Sequence, residues 1–320
     1  MAYSQAVLGR AKERLAQAKQ AREEESYRRI EGIYEAYPRL RQNDIAMRAT
    51  MAQVVSATLS GGDPRQAVEA AKQENLALQQ ERSWILQAAE LEESDLEVQS
   101  LCHECGGSGY VGERMCDCLK ELCRQEQKKE LSSLLGGRET FEGFRLQYYS
   151  EAVDPLSGMS PREVMTHNFR RCQQYARDFA PGAPSLLFTG GTGLGKTYLS
   201  ACIARAVAEN GYSVVYDTAG KMFSDFEAAK FGGDGDGTKK YLGCDLLIID
   251  DLGTEMVTQF TQSALYQVVN TRLMEGKATI VSTNLGKTQL QDKYLPAIVS
   301  RIWGAYETLV FMGSDIRMMK

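Results

Sequence analysis

Three groups of residues in this 320-residue chain have the types and spacing of a chemical site. The first is Gly190-Gly191-Thr192-Gly193-Leu194-Gly195-Lys196-Thr197, a complete G-x-x-x-x-G-K-[ST] run. Glycines at these positions let backbone N–H groups wrap a phosphate. Lys196 then reaches the β- and γ-phosphates, and the Thr197 hydroxyl is placed to hold Mg2+. The second group is Leu246-Leu247-Ile248-Ile249-Asp250-Asp251, four apolar residues followed by two acids. It reads as a buried strand that delivers carboxylates to its C-terminal end, where open α/β sheets bind their ligands. Asp250 is the expected outer partner of Mg2+ and Asp251 the positioner of an attacking water; a solvated acidic turn is the plain alternative.

The third group is Cys102, Cys105, Cys116 and Cys118, a C-x-x-C on a glycine turn and a C-x-C ten residues later. Two such pairs complete a tetrahedron of thiolates around Zn2+ with bonds of about 2.3 Å. A C-x-C is a less usual second pair, so Cys123 or His103 are alternative ligands. A redox pair is the competing reading, but nothing around it has the pattern of a thioredoxin βαβ unit. Four thiolates would close the site and leave no open position for catalysis. Cys172, Cys202 and Cys244 stand singly and read as small buried hydrophobes.

These residues need elements to hold them. Short apolar strands are predicted at Ser185–Thr189, Ser213–Thr218, Asp245–Asp250, Thr279–Thr283 and Glu307–Met312. Helices fill the gaps between the first four, the alternation of a parallel α/β sheet. The phosphate run lies between the first strand and a helix over Lys196–Glu209. Upstream, residues 1–98 are rich in Ala, Gln, Glu, Arg and Leu and predict three helices. These run from near Ser4 to Pro38, from Asn43 to Leu59, and from Pro64 to Leu91, with Ser60–Pro64 as a turn and Asp63 as an N-cap. Turn signals between Leu134 and Pro161 mark a connector, and a helix is expected over Pro161–Phe179. The run Gly232–Gly237 is too polar and glycine-rich for regular structure and is expected to be a mobile loop. The resulting division is 1–98, helical and partner-binding; 99–124, a zinc module; 125–160, a linker; and 161–320, the nucleotide domain.

Composition excludes some classes. With 43% hydrophobic and 25% charged residues, the chain has the balance of a folded globular protein. A formal charge of −5 gives no global attraction to nucleic acid, so any such contact needs a local patch. No apolar run approaches the roughly 18 residues of a membrane span, and the N-terminus lacks the apolar core of a secretory signal, so no membrane association and a cytoplasmic location are expected.

Asn284, at the end of Val281-Ser282-Thr283-Asn284, is either a water-orienting amide near the γ-phosphate or a plain turn residue. Arg301, in a helix well past that strand, could stabilise transition-state charge and would need a second subunit if placed in trans, whereas Arg317, near the C-terminus, could reach the nucleotide phosphates in cis. Either arginine also reads as a surface charge. Between the second and third strands, Lys221, Phe223, Phe226 and Lys230 combine basic and aromatic side chains, which suit single-stranded DNA. An amphipathic helix with both rings in the core accounts for them equally well.

Taken in order, GGTGLGKT, LLIIDDLGTE, VSTNL, VSRIWG and the closing FMGSDIRMMK resemble the AAA+ ATPases, and within them the bacterial replicative helicase loaders of the DnaC/DnaI type. The resemblance covers roughly residues 100–320. It implies an AAA+ P-loop parallel-sheet ATPase domain, preceded by an all-helical domain and a small zinc module. It also implies the sheet order of that superfamily, ATP with Mg2+, Asn284 as sensor 1, Arg301 as the arginine finger and Arg317 as sensor 2. By the same resemblance, the helices would grip a hexameric replicative helicase, the segment 218–241 would meet single-stranded DNA, and the AAA+ domains would self-associate. One departure is Asp251, where most AAA+ enzymes carry Glu. The shorter acid implies slow hydrolysis or a share of the role for Glu255. A transposition helper ATPase of the insertion-sequence type has similar core motifs but usually lacks a preceding zinc cluster. A nucleotide-gated adaptor with little hydrolysis is the third reading.

Overall fold

The computed structural model describes residues 3–59, 64–136, 139–155, 157–231 and 236–319. The expected turn at Ser60–Asp63 and most of the expected Gly232–Gly237 loop lie outside them. Asp236 and Gly237 are described and start a helix, because their chain continues into the helix-competent Thr238–Leu242. The chain forms two compact units, Leu15–Arg114 and a second made of Met1–Arg14 with Met115–Lys320. These limits differ from the expected division because the first turns of the N-terminal helix belong with the C-terminal part. Arg10 and Arg14 bond Glu126 there, at 3.2 and 2.7 Å.

Helices α1 (Gln5–Ala36), α2 (Pro38–Leu59) and α3 (Pro64–Ala88) build the first unit, apart from the start of α1. Leu40, Ile85 and Leu86 form its small core, with Ile33, Tyr34, Leu91 and Leu96 packed around them. Pro38 both ends α1 and opens α2, five residues earlier than expected. A proline fits the first helical position, where its missing N–H costs nothing. A two-stranded hairpin, β1 (Tyr110–Val111) and β2 (Arg114–Met115), follows in the cysteine segment.

In the second unit, α4 (Asp117–Leu135) and α5 (Pro161–Arg177) precede a five-stranded sheet. Its strands are β3 (Leu186–Thr189), β4 (Val214–Thr218), β5 (Leu246–Leu252), β6 (Ala278–Thr283) and β7 (Glu307–Val310). They lie in the order β4-β5-β6-β3-β7, all parallel. The intervening helices are α6 (Lys196–Glu209), α7 (Ala219–Lys230), α8 (Asp236–Gly243), α9 (Gln259–Met274), α10 (Lys287–Lys293) and α11 (Pro296–Ala305). This is the P-loop parallel-sheet architecture that the motifs implied.

Both faces of the sheet are covered, so the middle of each inner strand is apolar and buried. Alternate residues serve opposite cores. Leu186, Phe188, Ile248 and Ile280 pack with Met165, Leu199 and Ile203, while Leu187, Leu247, Ile249 and Val281 pack with Met222, Leu265 and Ile298. Each such side chain, fully buried, contributes about 1.5–3 kcal/mol. The parallel register carries all five C-terminal strand ends to one edge, and the phosphate run leaves β3 there.

Candidate nucleotide site and metal centre

The phosphate run is shaped by its glycines and by what packs on them. Gly190 has φ +143°, and a Cβ there would stand 2.3 Å from the carbonyl oxygen of Phe311. Gly193 has φ +70°, and its Cβ would fall 1.8 Å from a carboxylate oxygen of Asp315. Absence of side chains therefore lets the C-terminal segment close over the loop, where the Ile316 N–H donates to the Gly193 carbonyl at 3.1 Å. Helix α6 begins at Lys196, so its first N–H groups point without helical partners into the loop and favour an anion.

A cavity of about 740 Å3 opens at this point, lined by Thr192–Thr197 together with Asp251, Asn284 and Arg317. Lys196 is only 5% exposed, and its ammonium donates to the carbonyls of Gly190 and Gly191, at 2.8 and 2.6 Å, and to Asn284 Oδ1 at 2.7 Å. Burial lowers its pKa; Asp251 and Asp250 oppose that and Arg317 adds to it. Asn284 thus stands at the cavity, bonded to Lys196. Arg317 reaches the cavity from the same protomer.

Asp250 and Asp251 reach the edge through an irregularity. The β5–β6 register shifts between Ile249 and Leu252, and Asp251 takes φ +54°. A bulge with a left-handed residue breaks the strict alternation of side chains and re-aims them. The conformation costs a non-glycine residue about 1–2 kcal/mol. Asp250 is 3% exposed and lies under the loop, with Thr197 Oγ1 3.4 Å from its Oδ1. Asp251 faces the cavity, and its pKa is raised by burial first and by the neighbouring Asp250 second. Glu255 does not line the cavity: its carboxylate takes the Gly253 N–H at 2.9 Å and the Tyr294 hydroxyl. It therefore stands outside the group that lines the cavity with Asp251.

One wall was missed from sequence. Glu139, Gly143, Phe144, Arg145 and Tyr148, from the segment read as a linker, also line the cavity. Tyr149 anchors them, with its buried hydroxyl donating to the Leu194 carbonyl at 2.9 Å. The available signal was four aromatic residues within Phe141–Tyr149, too many for a solvated connector.

Arg301 is absent from the cavity. On α11 it is half-buried against α9, bonding Asn270 Oδ1 at 2.9 Å and the Tyr266 hydroxyl at 3.0 Å, with its guanidinium 4.8 Å from the Tyr266 ring centre. The DNA-facing expectation changes too. Phe223 and Phe226 are 4% and 9% exposed in the core beneath α7, so neither ring is open to a base. Helical spacing placed them on the buried face. Lys221 is paired with Asp225, and Lys230 lies 5.0 Å from the Phe260 ring centre and 5.8 Å from that of Phe231, which is 76% exposed.

The thiols of Cys102, Cys105, Cys116 and Cys118 lie within 4.8 Å of one another. A tetrahedron of Zn–S bonds of about 2.3 Å has sulfur–sulfur edges of about 3.8 Å, so the four fit a zinc ion with a small contraction. The Gly109 N–H donates to Cys105 Sγ at 3.3 Å, an outer contact of the kind that orients metal thiolates. Neither alternative ligand joins them. His103 is exposed, and Cys123 is buried, its thiol pushed up to about 11 by desolvation. Among the described residues no helix is long and apolar enough to cross a membrane.

The sheet, the loop and the paired acids have the arrangement of a P-loop nucleotide-binding domain. Residues 166–318 match the family described as IstB-like ATP binding protein. The replicative helicase loader DnaC of Buchnera aphidicola subsp. Baizongia pistaciae is 28% identical over 118 residues, 35% of this chain and 48% of that protein. DnaC of Buchnera aphidicola subsp. Schizaphis graminum is 23% identical over 191 residues, 57% of this chain and 74% of that one. The chain thus spans about half the length of the first of these relatives. Among solved structures, DnaI is 19% identical with a TM-score of 0.47, covering 60% of this chain and all of DnaI.

Proposed function

We propose that this protein is an ATPase that loads a hexameric replicative DNA helicase onto single-stranded DNA. The observation that carries the reading is the single cavity that gathers Lys196, Thr197, Asp251, Asn284 and Arg317 above Asp250. Loader-named relatives support it, as does a cysteine quartet ahead of the ATPase domain, which insertion-sequence helper ATPases usually lack.

In this reading the loop amides and Lys196 bind the β- and γ-phosphates, and Thr197 and Asp250 would hold Mg2+, which would supply charge neutralisation at the phosphates. Asp251 orients the attacking water, and Asn284 and Arg317 face the γ-phosphate. Arg301, outside its own cavity, completes the site of a neighbouring protomer, so hydrolysis depends on self-association. The short Asp251 makes turnover slow, as suits a switch. The helices of the first unit bind the helicase, Zn2+ holds the cysteine segment, and the exposed Lys230–Phe231 surface meets DNA.

The test is co-purification of the full chain with candidate hexameric helicases in ATP and in ADP, alongside ATP turnover with and without single-stranded DNA. Nucleotide-dependent retention and DNA-stimulated turnover are expected. Retention of no helicase in either nucleotide would remove the loader reading, and turnover indifferent to DNA would favour the adaptor.

A further inference from the structure

Asp250 and Asp251 are held by side chains to which the sequence motifs assign no role. Ser282, on the adjacent strand β6 and fully buried, donates its hydroxyl to Asp250 Oδ1 and accepts the Asp251 backbone N–H at 3.0 Å. Tyr216, on the other neighbouring strand β4, donates to Asp250 Oδ2 at 2.7 Å, and its hydroxyl lies 3.4 Å from Ser200 Oγ on α6. A carboxylate offers about four acceptor sites. Three of those of Asp250 thus face Ser282, Tyr216 and Thr197, which fixes its plane and leaves one direction for a further donor. Ser282 also ties the strained residue that follows, since the Asp251 N–H would otherwise be a buried donor at a bulge in the ladder.

We propose that Ser282 and Tyr216 are positioning residues for Mg2+ at the nucleotide site. Together they aim the Asp250 carboxylate at the water shell of the ion, and Ser282 alone sets the spacing between Asp250 and Asp251. The inference rests on the ATPase reading and deepens it. Neither residue lines the cavity, so each acts through the acids. Outer partners of this kind typically change metal affinity on the order of 10–100-fold when removed.

The test is titration of Mg2+ into the full-length protein with a fluorescent ATP analogue, reading nucleotide affinity against metal concentration. Ser282→Ala and Tyr216→Phe are expected to raise the Mg2+ concentration for half-effect by roughly 10–100-fold. Affinity measured in EDTA should stay unchanged, and Ser282→Thr, which keeps the hydroxyl, should restore the parent curve. Tyr216→Phe removes one oxygen and keeps the ring in the core, so it carries the test if Ser282→Ala does not fold. An unshifted Mg2+ curve in a folded variant would overturn the inference, as would an equal loss of affinity in EDTA. A parent protein that binds no nucleotide at any Mg2+ concentration would instead remove the ATPase reading.

Discussion

The Lys196 ammonium lies 2.7 Å from Asn284 Oδ1, so the start of α6 and the end of β6, the strand next to β3, converge on one point. That point is the expected place of the γ-phosphate, and the two side chains should act differently on it. Lys196 would neutralise charge in the bound nucleotide, whereas Asn284 would order what attacks it. Asn284→Ala is therefore expected to lower kcat by about 10^2-fold with little change in nucleotide affinity, by analogy with removal of a single preorganised donor. Lys196→Ala should lose nucleotide affinity itself. Equilibrium binding beside steady-state turnover separates the two, and an Asn284→Ala variant that loses affinity but keeps kcat would contradict this division.

The cysteine quartet predicts one Zn2+ per chain, removable by a strong chelator and absent from Cys105→Ser. Cys123→Ser should keep its metal, because that thiol is buried away from the cluster and pushed up by desolvation, which disfavours the thiolate a metal needs. Elemental analysis of the purified variants decides the matter. Loss of zinc from Cys123→Ser, or its retention in Cys105→Ser, would reassign the ligands.

Much of the site was legible because its parts are contiguous in sequence. Gly190–Thr197 carries its own geometry, and Leu246–Asp251 announces both a buried strand and the acids at its end. Tyr216 and Ser282 were not legible, since only the adjacency of β4, β5 and β6 brings them to Asp250, and strand order is not written in spacing. The wall around Phe144 was hidden in the same way: a turn-rich segment looks like a linker until the surface it covers is known. Phe223 and Phe226 were ambiguous because three-residue spacing on a helix suits a core face as well as a stacking platform. Pro38 was read as a stop when it was also a start.

Glu126 predicts a pH signature within the second unit. Its side chain is 6% exposed and accepts bonds from Lys129, Arg14 and Arg10, and the Lys129 bond is the largest influence holding it below the usual carboxylate range. A depressed pKa gives stability that is present above the unfolded-state value and is lost as pH falls through the folded-state value. Glu126→Gln should therefore destabilise the protein near neutral pH by on the order of 1 kcal/mol, kept small because Arg10 and Arg14 are 43% and 38% exposed and screened. In acid the two proteins should converge. Thermal unfolding of both across pH checks this; a gap that widens toward low pH would have the wrong sign.

Arg301 offers a test of assembly. It is anchored on α11 by Asn270 and Tyr266 and does not line its own cavity, so a catalytic role requires delivery to another copy. Arg301→Ala alone should bind nucleotide normally and lose about 10^3-fold or more in turnover, the scale of an arginine supplied in trans. Lys196→Ala alone should also be inactive, with its pocket disabled and its arginine intact. Mixed, the two inactive proteins should recover part of the parent rate, because an Arg301→Ala pocket can be completed by the arginine of a Lys196→Ala neighbour. Asn270→Ala should give a milder loss than Arg301→Ala, since it loosens the guanidinium without removing it. A mixture that assembles but stays inactive would confine Arg301 to packing between α9 and α11, and the nucleotide site would then have to work with the residues of one chain.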